Sequence, residues 1–405
     1  MLELKPIINA LLRSKVGAIL AILQLALTLA IVSNSLSIIS ERVTYLNKPT
    51  GYPEESIITF SVMSFDDKID ANQQLIVDER ILNSIPGVIE AVGVSSVPLS
   101  GGGSNSGFSL TPEDDSKHTN AGHLYANEQV IRTLGVKLIE GRDFTSGDVL
   151  ISSEYAKQPD VVIASKAFAD EIFGEGKGLG ETIYYGGGPL KVVGIVERMT
   201  NAWPRFNNAD RLIIFPMVNA NGFQDFLVRT DPSLRDEVMK KIEAALLQEN
   251  PSRVITGIKG LDEVKERYNS KDILMLRMLL VLISALIAVT ALGIFGLTQF
   301  NISKRTKQIG TRRALGARKS AIVRYFVVEN LIVCAIGLVL GTVATIFLGQ
   351  KLMSLYSVPP LEVSYILITA LGLIMLCIAS VIFPAKKAAN ISPSIATRSV
   401  RPLCQ

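Results

Sequence analysis

The stretch SKRTKQIGTRRALGARKSAIVRYFVVEN, Ser303–Asn330, is a strongly basic segment between two long apolar windows. Its first 22 residues carry eight Lys or Arg, and no acidic residue precedes Glu329. Such a cluster suits nucleic acid, a membrane surface or a protein partner. Because the segment lacks interleaved aromatic residues that would stack bases, and because the apolar windows hold it at a bilayer, we exclude nucleic acid as its partner.

Four windows of the chain contain no Asp, Glu, Lys or Arg, and each is 21 to 24 residues long. A helix rises about 1.5 Å per residue, so about 20 residues cross roughly 30 Å of hydrocarbon. The windows therefore predict four transmembrane helices, at Val16–Ile39, Met278–Phe300, Asn330–Gln350 and Val363–Phe383. The first window has the basic flank of a secretion signal, but its apolar run is too long and no A-x-A-like site closes it. We interpret it as an uncleaved anchor.

Lys and Arg set the expected orientation, because short loops rich in them stay in the cytoplasm. Three lie in the N-terminal tail, eight in the basic segment and four in the C-terminal tail, whereas the loop Lys351–Glu362 holds one base and one acid. We therefore expect both termini in the cytoplasm and residues 41–272 outside. That outer region carries 34 acidic and 24 basic residues, so the overall charge of +4 hides an acidic outer domain and a basic cytoplasmic face.

The windows and the orientation together predict the order of the segments. We expect a cytoplasmic tail (1–15), a first transmembrane helix (16–40), a periplasmic stalk and core domain (41–272), a second helix (273–300), a cytoplasmic loop (301–324), a third helix (325–350), a short outer loop (351–362), a fourth helix (363–383) and a cytoplasmic tail (384–405). Cys334, Cys377 and Cys404 all fall outside the outer domain, so we expect that domain to use no disulfide.

Two βαβ patterns frame the outer domain. The first predicts a strand, a helix ended by Pro86-Gly87 and a second strand, at Ser56–Met63, Ile69–Ile85 and Val88–Val97. The second predicts the same order at Gly222–Thr230, Pro232–Gln248 and Arg253–Ile258. Two such units separated by an insertion predict a split ferredoxin-like lobe with a second lobe inserted over about 99–221. The expected fold class is an α-helical membrane protein with four transmembrane helices and a large α+β extracytoplasmic domain.

Three segments join these predicted parts. The stretch PLSGGGSNSG, Pro98–Gly107, predicts a flexible lead-in to the inserted lobe, since it lacks the ending of a nucleotide loop. The stretch SERVTYLN, Ser40–Asn47, continues the first helix without a helix breaker. The stretch GLDEVKERYNSKD, Gly260–Asp272, places Leu261, Val264 and Tyr268 on one helical face. We therefore expect two helical extensions that form a stalk.

Catalytic, metal-binding and nucleotide-binding patterns are absent from the sequence. His118 and His123 are the only histidines and have no cysteine nearby, which argues against a zinc site. Acids such as Asp114-Asp115 are typical of a solvated loop, no G-x-S-x-G elbow marks a nucleophile, and no G-x-x-x-x-G-K-[ST] occurs. The sequence thus predicts no enzyme activity and no cofactor in this chain, and any ATP is expected on a partner.

Uncharged polar residues inside the apolar windows are of the kind that joins membrane helices by hydrogen bonds. They are Gln24, Thr28, Asn34, Thr290, Asn330 and Thr345. Gly337 and Gly341 form a G-x-x-x-G, a pattern that permits close helix packing. Glu329 is an acid at the cytoplasmic end of a membrane segment, and we expect a nearby Arg to be its partner.

The whole pattern resembles the permeases of the MacB/FtsX-like ABC transporter superfamily. RTKQIGTRRALGARKSAIVRYFVVENLIV, which starts at Arg305, is similar to that family's consensus R-x-x-E-I-G-x-R-R-A-x-G-A followed by a Glu-containing helix start. FPAKKAANISPSIA, Phe383–Ala396, is similar to its P-A-x-x-A-A-x-x-x-P ending. In the outer domain, TLGVKLIEGRDFTSGD (Thr133–Asp148), VVIASKAFADEIFG and KVVGIVERM resemble the MacB-type periplasmic core domain. These motifs together cover nearly the whole chain.

The resemblance implies a permease of the bacterial inner membrane that works as a dimer and binds ATPase subunits on the cytoplasmic side. It would transmit ATP-driven motion to the periplasmic domain to drive efflux or export, in many members with a periplasmic adaptor and an outer-membrane duct. Only about 15 residues precede the first helix, so the ATPase is expected to be a separate chain. The alternatives are a non-transporting FtsX-like mechanotransmitter that regulates a cell-wall hydrolase, and Lol-like lipoprotein extraction. The large outer domain favours efflux.

The resemblance also identifies residues 301–324 as an ATPase-coupling segment, here called the coupling segment. It implies that Ile309, Gly310, Ala314, Leu315, Gly316 and Ala317 pack into an ATPase groove, while Arg305, Arg312 and Arg313 meet acids or lipid headgroups. Gln308 stands where the family usually has Glu, and the C-terminal tail lacks the usual Leu and acid near its end. These departures leave both a homodimer and a heterodimer with a second permease open.

Overall fold

The computed structural model describes residues 15–65, 70–112, 118–152, 157–356 and 360–391. They divide into two compact units. The membrane unit is the chain up to Leu46 and from Asp272 onward, and the outer domain is Asn47–Lys271. Most of the two predicted terminal tails, the acidic pair Asp114-Asp115 and Cys404 lie outside the described residues.

The helices of the described residues fall into long apolar ones and short amphipathic ones. They are α1 (Lys15–Leu46), α2 (Ala71–Ser84), α3 (Val130–Leu134), α4 (Lys166–Phe173), α5 (Arg235–Glu249), α6 (Leu261–Tyr268), α7 (Ser270–Lys304), α8 (Thr306–Ala314), α9 (Lys319–Tyr356) and α10 (Val363–Ala389). Helices α1, α7, α9 and α10 are long and apolar enough to cross a membrane. The prediction of four helices of this kind is confirmed, and each helix extends past its uncharged window at one or both ends.

Helices α1 and α9 pack closely at two glycines. A Cβ atom on Gly337 would lie 2.8 Å from the Cβ of Leu25, and one on Gly341 would lie 2.9 Å from the Cα of Ala26. Such distances leave no room for a side chain, so the two backbones approach each other only because both positions are glycine.

Polar side chains join the membrane helices as the sequence predicts. The hydroxyls of Thr28 in α1 and Thr290 in α7 are 2.9 Å apart and buried. The Asn34 amide of α1 donates to the carbonyl oxygen of Thr345 in α9 at 3.2 Å. These bonds satisfy groups that would otherwise face hydrocarbon, where an unpaired polar atom is costly.

The strands of the outer domain form one sheet that runs through both predicted lobes. They are β1 (Ile57–Ser64), β2 (Val88–Val94), β3 (Ser104–Phe108), β4 (Thr119–Ala126), β5 (Leu138–Gly141), β6 (Leu150–Ile151), β7 (Val161–Ser165), β8 (Thr182–Tyr185), β9 (Gly188–Val196), β10 (Leu212–Val218), β11 (Phe223–Thr230) and β12 (Arg253–Gly260). The order is β12-β1-β11-β2-β4-β10-β7-β9-β5, and β3, β6 and β8 pair with β4, β10 and β9. The lobes join where Val94 of β2 pairs with Ala126 of β4.

The first lobe has the predicted split ferredoxin-like architecture. Its antiparallel strands lie in the order β12-β1-β11-β2, and α2 and α5 cover one face of the sheet. Phe60 and Phe226 stack with their ring centroids 5.3 Å apart in the core beneath these helices. The second helix starts later than predicted, because Pro232–Leu234 forms a 3-10 turn, capped by the side chain of Asp231, before α5 begins.

The inserted lobe packs β3–β10 around a second apolar core. Phe108, Phe168 and Phe215 are fully buried there, and the first two make an edge-to-face contact at 5.5 Å. The predicted strand-to-helix stretch appears as β7 followed by α4, whose N-cap is the hydroxyl of Ser165. Alternating apolar residues thus build the same kind of core in each lobe.

Helix α6 belongs to the core of the outer domain and is not a free stalk. Leu261 and Val264, the apolar face that led us to expect a stalk, are buried in one cluster with Tyr52 and Leu227. Asn269 then separates α6 from α7. A one-sided apolar helix fits a core as well as a stalk, and the sequence pattern does not distinguish the two. The other predicted extension is present, since α1 continues to Leu46.

Two neighbouring acids of α2 are buried and bonded to different elements. Both carboxylate oxygens of Asp78 accept from Arg253 Nη1 of β12, at 2.6 and 2.7 Å. Glu79 accepts from the backbone N–H of Gly93 at 2.8 Å and from the amide of Asn127 at 2.9 and 3.0 Å. Because Asn127 follows β4, Glu79 ties the first lobe to the inserted lobe. Its removal from water raises the pKa of Glu79 to about 7, although the bond from Gly93 opposes that shift.

Candidate functional site

The coupling segment is a short helix and a fixed turn between two membrane helices. Helix α7 ends at Lys304, Arg305 leaves helical geometry, and α8 occupies Thr306–Ala314. The end of α8 is a Schellman motif, in which Ala317 N–H donates to Arg312 O at 3.0 Å and Gly316 N–H donates to Arg313 O at 3.1 Å. Gly316 has φ +90°, a conformation that glycine adopts without strain.

One face of α8 packs against the membrane unit itself. Ile309 and Gly310 are both buried, and Ile309 lies in one apolar cluster with Ile322 and Phe326 of α9 and Ala388 of α10. These two residues were expected to enter an ATPase groove, but their side of the helix is already occupied within the chain. A helical period in the sequence does not reveal this, because Arg305 breaks the helix between Ile302 and Ile309.

An ion pair fixes the start of the coupling segment to α9. The Arg305 guanidinium donates to Glu329 Oε2 at 2.9 Å, and its side chain and that of Glu329 are only 16% and 3% exposed. Arg305 is therefore the Arg partner predicted for Glu329. Tyr325 of α9 lies between Arg305 and Arg312. Its hydroxyl is 3.5 Å from Arg305 Nη1, and its ring centroid is 5.1 Å from the Arg312 guanidinium carbon. No sequence pattern indicated a role for Tyr325.

The opposite face and the tip of the coupling segment are open. Leu315 is 83% exposed, and Ala314 and Gly316 beside it are also exposed. Gln308 and Arg312 are also exposed, but they lie on the α9 side of α8, where both line the small cavity beside Tyr325. Arg313 and Ala317 are half-buried and bonded to each other, Arg313 Nη1 to Ala317 O at 3.1 Å. A leucine held outward on a rigid turn and flanked by cations is suited to an apolar recess with an acidic rim.

Small-molecule chemistry does not fit this segment. The cavity between α8 and α9, lined by residues that include Arg305, Ile309 and Tyr325, has about 30 Å³, roughly the volume of one water molecule. In the described part of the chain, no group of three or more His, Cys, Asp and Glu is placed to hold a metal ion.

The remaining candidates from the sequence lie elsewhere. Gly337 and Gly341 are at the contact of α9 with α1 and are not part of the coupling segment. His123 lies among Tyr125, Tyr185 and Phe215, and burial lowers its pKa to about 4, so it is a neutral core residue. Cys334 and Cys377 are free and buried.

Two family matches cover most of the chain. Residues 16–245 match the MacB-like periplasmic core domain, and residues 280–393 match the FtsX-like permease C-terminal domain. The second match contains the whole coupling segment, and the first contains α1 and most of the outer domain.

Individual relatives are about one quarter identical to this chain over the aligned residues. The macrolide export ATP-binding/permease protein MacB of Chromobacterium violaceum is 26% identical over 295 residues, which cover 68% of this chain and 42% of that protein. The ABC transporter permease YknZ of Bacillus subtilis is 24% identical over 285 residues, 67% of this chain and 68% of YknZ. The solved periplasmic region of MacB from Actinobacillus actinomycetemcomitans aligns at a TM-score of 0.34 and 16% identity, over 54% of this chain and 94% of that one.

The match to MacB spans less than half of that relative, whereas the two family matches together run from the first membrane helix to the end of the last. Four membrane helices and an extracytoplasmic α+β domain agree with both matches. The chain belongs to the MacB/FtsX-like family of ABC transporter permeases.

Proposed function

We propose that this chain is the transmembrane permease subunit of a MacB-like ABC transporter that drives efflux or export. A separate cytoplasmic ATPase binds and hydrolyses ATP, and this chain carries the resulting motion to its outer domain. Family membership supports the proposal, and so does the lack of a phosphate-binding G-x-x-x-x-G-K-[ST] loop in the sequence.

The observation that carries the proposal is the exposed tip of the coupling segment. Leu315 is 83% exposed although the segment around it is held in place by the Gly316 turn and by the Arg305–Glu329 pair. An ordered, exposed leucine has the features of an anchor residue for a protein partner, because little side-chain or backbone freedom is lost when it docks. Ala314, Leu315 and Gly316 are therefore the proposed ATPase contacts.

Motion of that tip has a physical route into the membrane helices. A push on α8 acts on α9 through the Arg305–Glu329 pair and the packing of Ile309. Helix α9 contacts α1 at Gly337 and Gly341, and α1 continues in sequence to the outer domain. At the far end of α1, the Arg42 guanidinium lies 3.6 Å from Asp272 of α7. Rigid helices joined at these points would move together.

The remaining parts of the proposal concern place and partners. The basic coupling segment favours a cytoplasmic position, which puts both termini in the cytoplasm and the outer domain in the periplasm of a cell with an inner membrane. A second permease copy or a paralogous permease completes the transporter, with an adaptor and an outer-membrane duct as further partners. Exposed cations such as Lys307 and Arg312 are free to meet lipid headgroups.

The test measures ATP hydrolysis by the purified chain, alone and with the ATPase that co-purifies with it. We expect no turnover from the chain alone, and turnover by the complex that drives transport into inverted membrane vesicles. Hydrolysis by a preparation shown to contain no ATPase would overturn the division of roles. A complex that hydrolyses ATP but instead retains a cell-wall hydrolase, without vesicle transport, would establish the mechanotransmitter alternative.

A further inference from the structure

The face of the first lobe opposite α2 and α5 carries, beside α6, a polar cleft of about 450 Å³. Its floor is the sheet, where Thr59 and Ser61 of β1 lie beside Asp225 of β11 and Thr256 of β12. Seven of its fifteen lining residues carry hydroxyl groups. Most small-molecule sites are lined mainly by apolar side chains, so a lining of this kind selects a hydrophilic ligand.

The wall of the cleft is the Gly-rich stretch Pro98–Gly107, which the sequence predicts to be flexible. In the structure it is tied down, since Leu99 N–H donates to Asn201 O at 3.2 Å and Gly101 N–H donates to Ala202 O at 2.7 Å. Leu99 has φ +64°, and among the described residues it is the one non-glycine with a positive φ, although it is fully buried. Strain that the surrounding structure maintains is a common property of preformed binding sites.

Two opposite charges face this cleft without an ion-pair partner in the described part of the chain. Asp225 accepts a hydrogen bond from the Ser61 hydroxyl at 2.5 Å, and burial raises the pKa of its carboxyl. Lys259 lines the same cleft from β12. Asp225 pairs with Ser61 and Lys259 pairs with Thr59 across β1, so their Cα atoms are about 12 Å apart by strand geometry.

A second, smaller compartment of about 220 Å³ opens beside Asp225. It shares Asp225, Ser95 and Ser104 with the polar cleft, and Phe223 and Met217 line its other side. The amide nitrogen of Asn219, another lining residue, is buried with no hydrogen-bond partner in the described residues. Asp225 therefore lies at the junction of a hydroxyl-lined compartment and a partly apolar one that contains an unsatisfied donor.

We propose that this cleft binds short zwitterionic peptides with an apolar N-terminal residue. An extended tripeptide spans roughly 10 Å, which suits an ammonium group at Asp225 and a carboxylate directed to Lys259. The N-terminal side chain enters the compartment lined by Phe223 and Met217, and the peptide groups meet the hydroxyls and the exposed backbone of Gly102 and Gly103. The binding is a property of the outer domain and does not depend on the proposed export function.

The experiment titrates the full-length chain in detergent micelles, without ATPase or ATP, with the tripeptide Leu-Gly-Gly by isothermal titration calorimetry. We expect Leu-Gly-Gly to bind, and its N-acetylated, C-amidated form and triglycine to bind at least about tenfold more weakly. Maltotriose, a neutral ligand rich in hydroxyls, is expected not to bind.

Variants locate the site. Asp225→Asn and Lys259→Gln should each weaken Leu-Gly-Gly binding by about tenfold, whereas the matched controls Asp236→Asn and Lys240→Gln, at exposed positions of α5, should leave it unchanged. The fluorescence of Trp203, the single tryptophan, checks that each variant is folded. Absence of Leu-Gly-Gly binding, equal binding of the blocked peptide, or equal affinity in Asp225→Asn would overturn the proposal. Because no ATP is present, such a failure leaves the proposed export function untouched.

Discussion

Each unit of the molecule contains a buried carboxylate–guanidinium pair, and the two pairs differ in how completely they are bonded. In the outer domain, Asp78 receives two bonds from Arg253 and one from Gln74, and Arg253 also donates to the carbonyl of Leu246, while Arg253 Nε is buried without a partner in the described residues. In the membrane unit, Glu329 receives one bond from Arg305, and its Oε1 has no partner in the described residues. A buried carboxylate bonded through both oxygens holds a fold firmly, whereas one with a spare acceptor holds a helix and leaves room for rearrangement. The first lobe needs a pair whose carboxylate is bonded through both oxygens, and a coupling segment needs a pair with a spare acceptor.

The largest effect is expected from breaking the Asp78–Arg253 pair. Asp78→Ala leaves the Arg253 guanidinium buried and unpaired, so the outer domain should lose about 3–5 kcal/mol of its free energy of unfolding. Denaturant titration of the full-length chain, followed by Trp203 fluorescence, measures this loss, and the exposed Asp236→Ala serves as control. A loss of less than about 1 kcal/mol in the free energy of unfolding would show that the pair does not stabilise the outer domain as proposed.

The next largest effect is expected in the pH dependence of the stability of the outer domain, to which the protonation of Glu79 contributes. Its pKa of about 7 in the folded protein lies above its ordinary value of 4.5, so the folded chain holds a proton that the unfolded chain releases between these pH values. The contribution of Glu79 to stability is fully present below pH 4.5 and is lost as the pH rises to about 7, a change of about 3 kcal/mol. Glu79→Gln should remove this dependence, while the neighbouring Asp78, whose pKa burial also raises, continues to titrate in both proteins. If stability changes with pH in the same way in the unsubstituted chain and in Glu79→Gln, Glu79 is not the source of the pH dependence.

A smaller effect is expected from breaking the Arg305–Glu329 pair. Arg305→Ala leaves Glu329 without its partner and should release α8, with a cost of about 2 kcal/mol that is confined to the coupling segment. Hydrogen exchange of Thr306–Ala314, read by mass spectrometry, measures the opening, and the exposed Lys307→Ala is the control. If α8 exchanges at the same rate in Arg305→Ala and in the control, the ion pair does not hold the segment.

The smallest of these effects concerns the turn after α8. Gly316→Ala meets no neighbouring atom but places a side chain at φ +90°, so it should cost about 1 kcal/mol and fray the end of α8. Gly296→Ala is a matched control, because Gly296 also has open space around it and does not have a positive φ. Equal exchange rates in the two variants would show that the turn carries no constraint.

The sequence predicted the elements that depend on local pattern. Charge-free windows identify the membrane helices, and alternating apolar residues with Pro86-Gly87 and Asp231 as punctuation identify the two βαβ units. The family resemblance rested on the same local motifs, and the family matches confirm it. These features could be predicted because each depends on a pattern within about 20 residues of chain.

The sequence did not predict features that depend on contacts between distant residues. Ile309 turns inward only because Phe326 and Ala388 are there to receive it, and α6 is a core helix because Tyr52 lies against its apolar face. Asp225 and Lys259 are 34 positions apart and meet through their registers with β1. Partners of this kind are set by the sheet order and by helix packing, which no single window encodes.

The most direct test of the account is the affinity of the ATPase for the exposed tip of the coupling segment. Leu315→Asp replaces the proposed anchor by a charge. Ser320→Asp adds the same charge at another exposed position of the coupling segment. With both variants inserted in nanodiscs at wild-type levels, we expect Leu315→Asp to weaken ATPase binding by at least about tenfold and Ser320→Asp to change it by less than about threefold. Equal affinities for the two variants would contradict the claim that Leu315 docks on the ATPase, and the basic segment would then be an orientation signal alone.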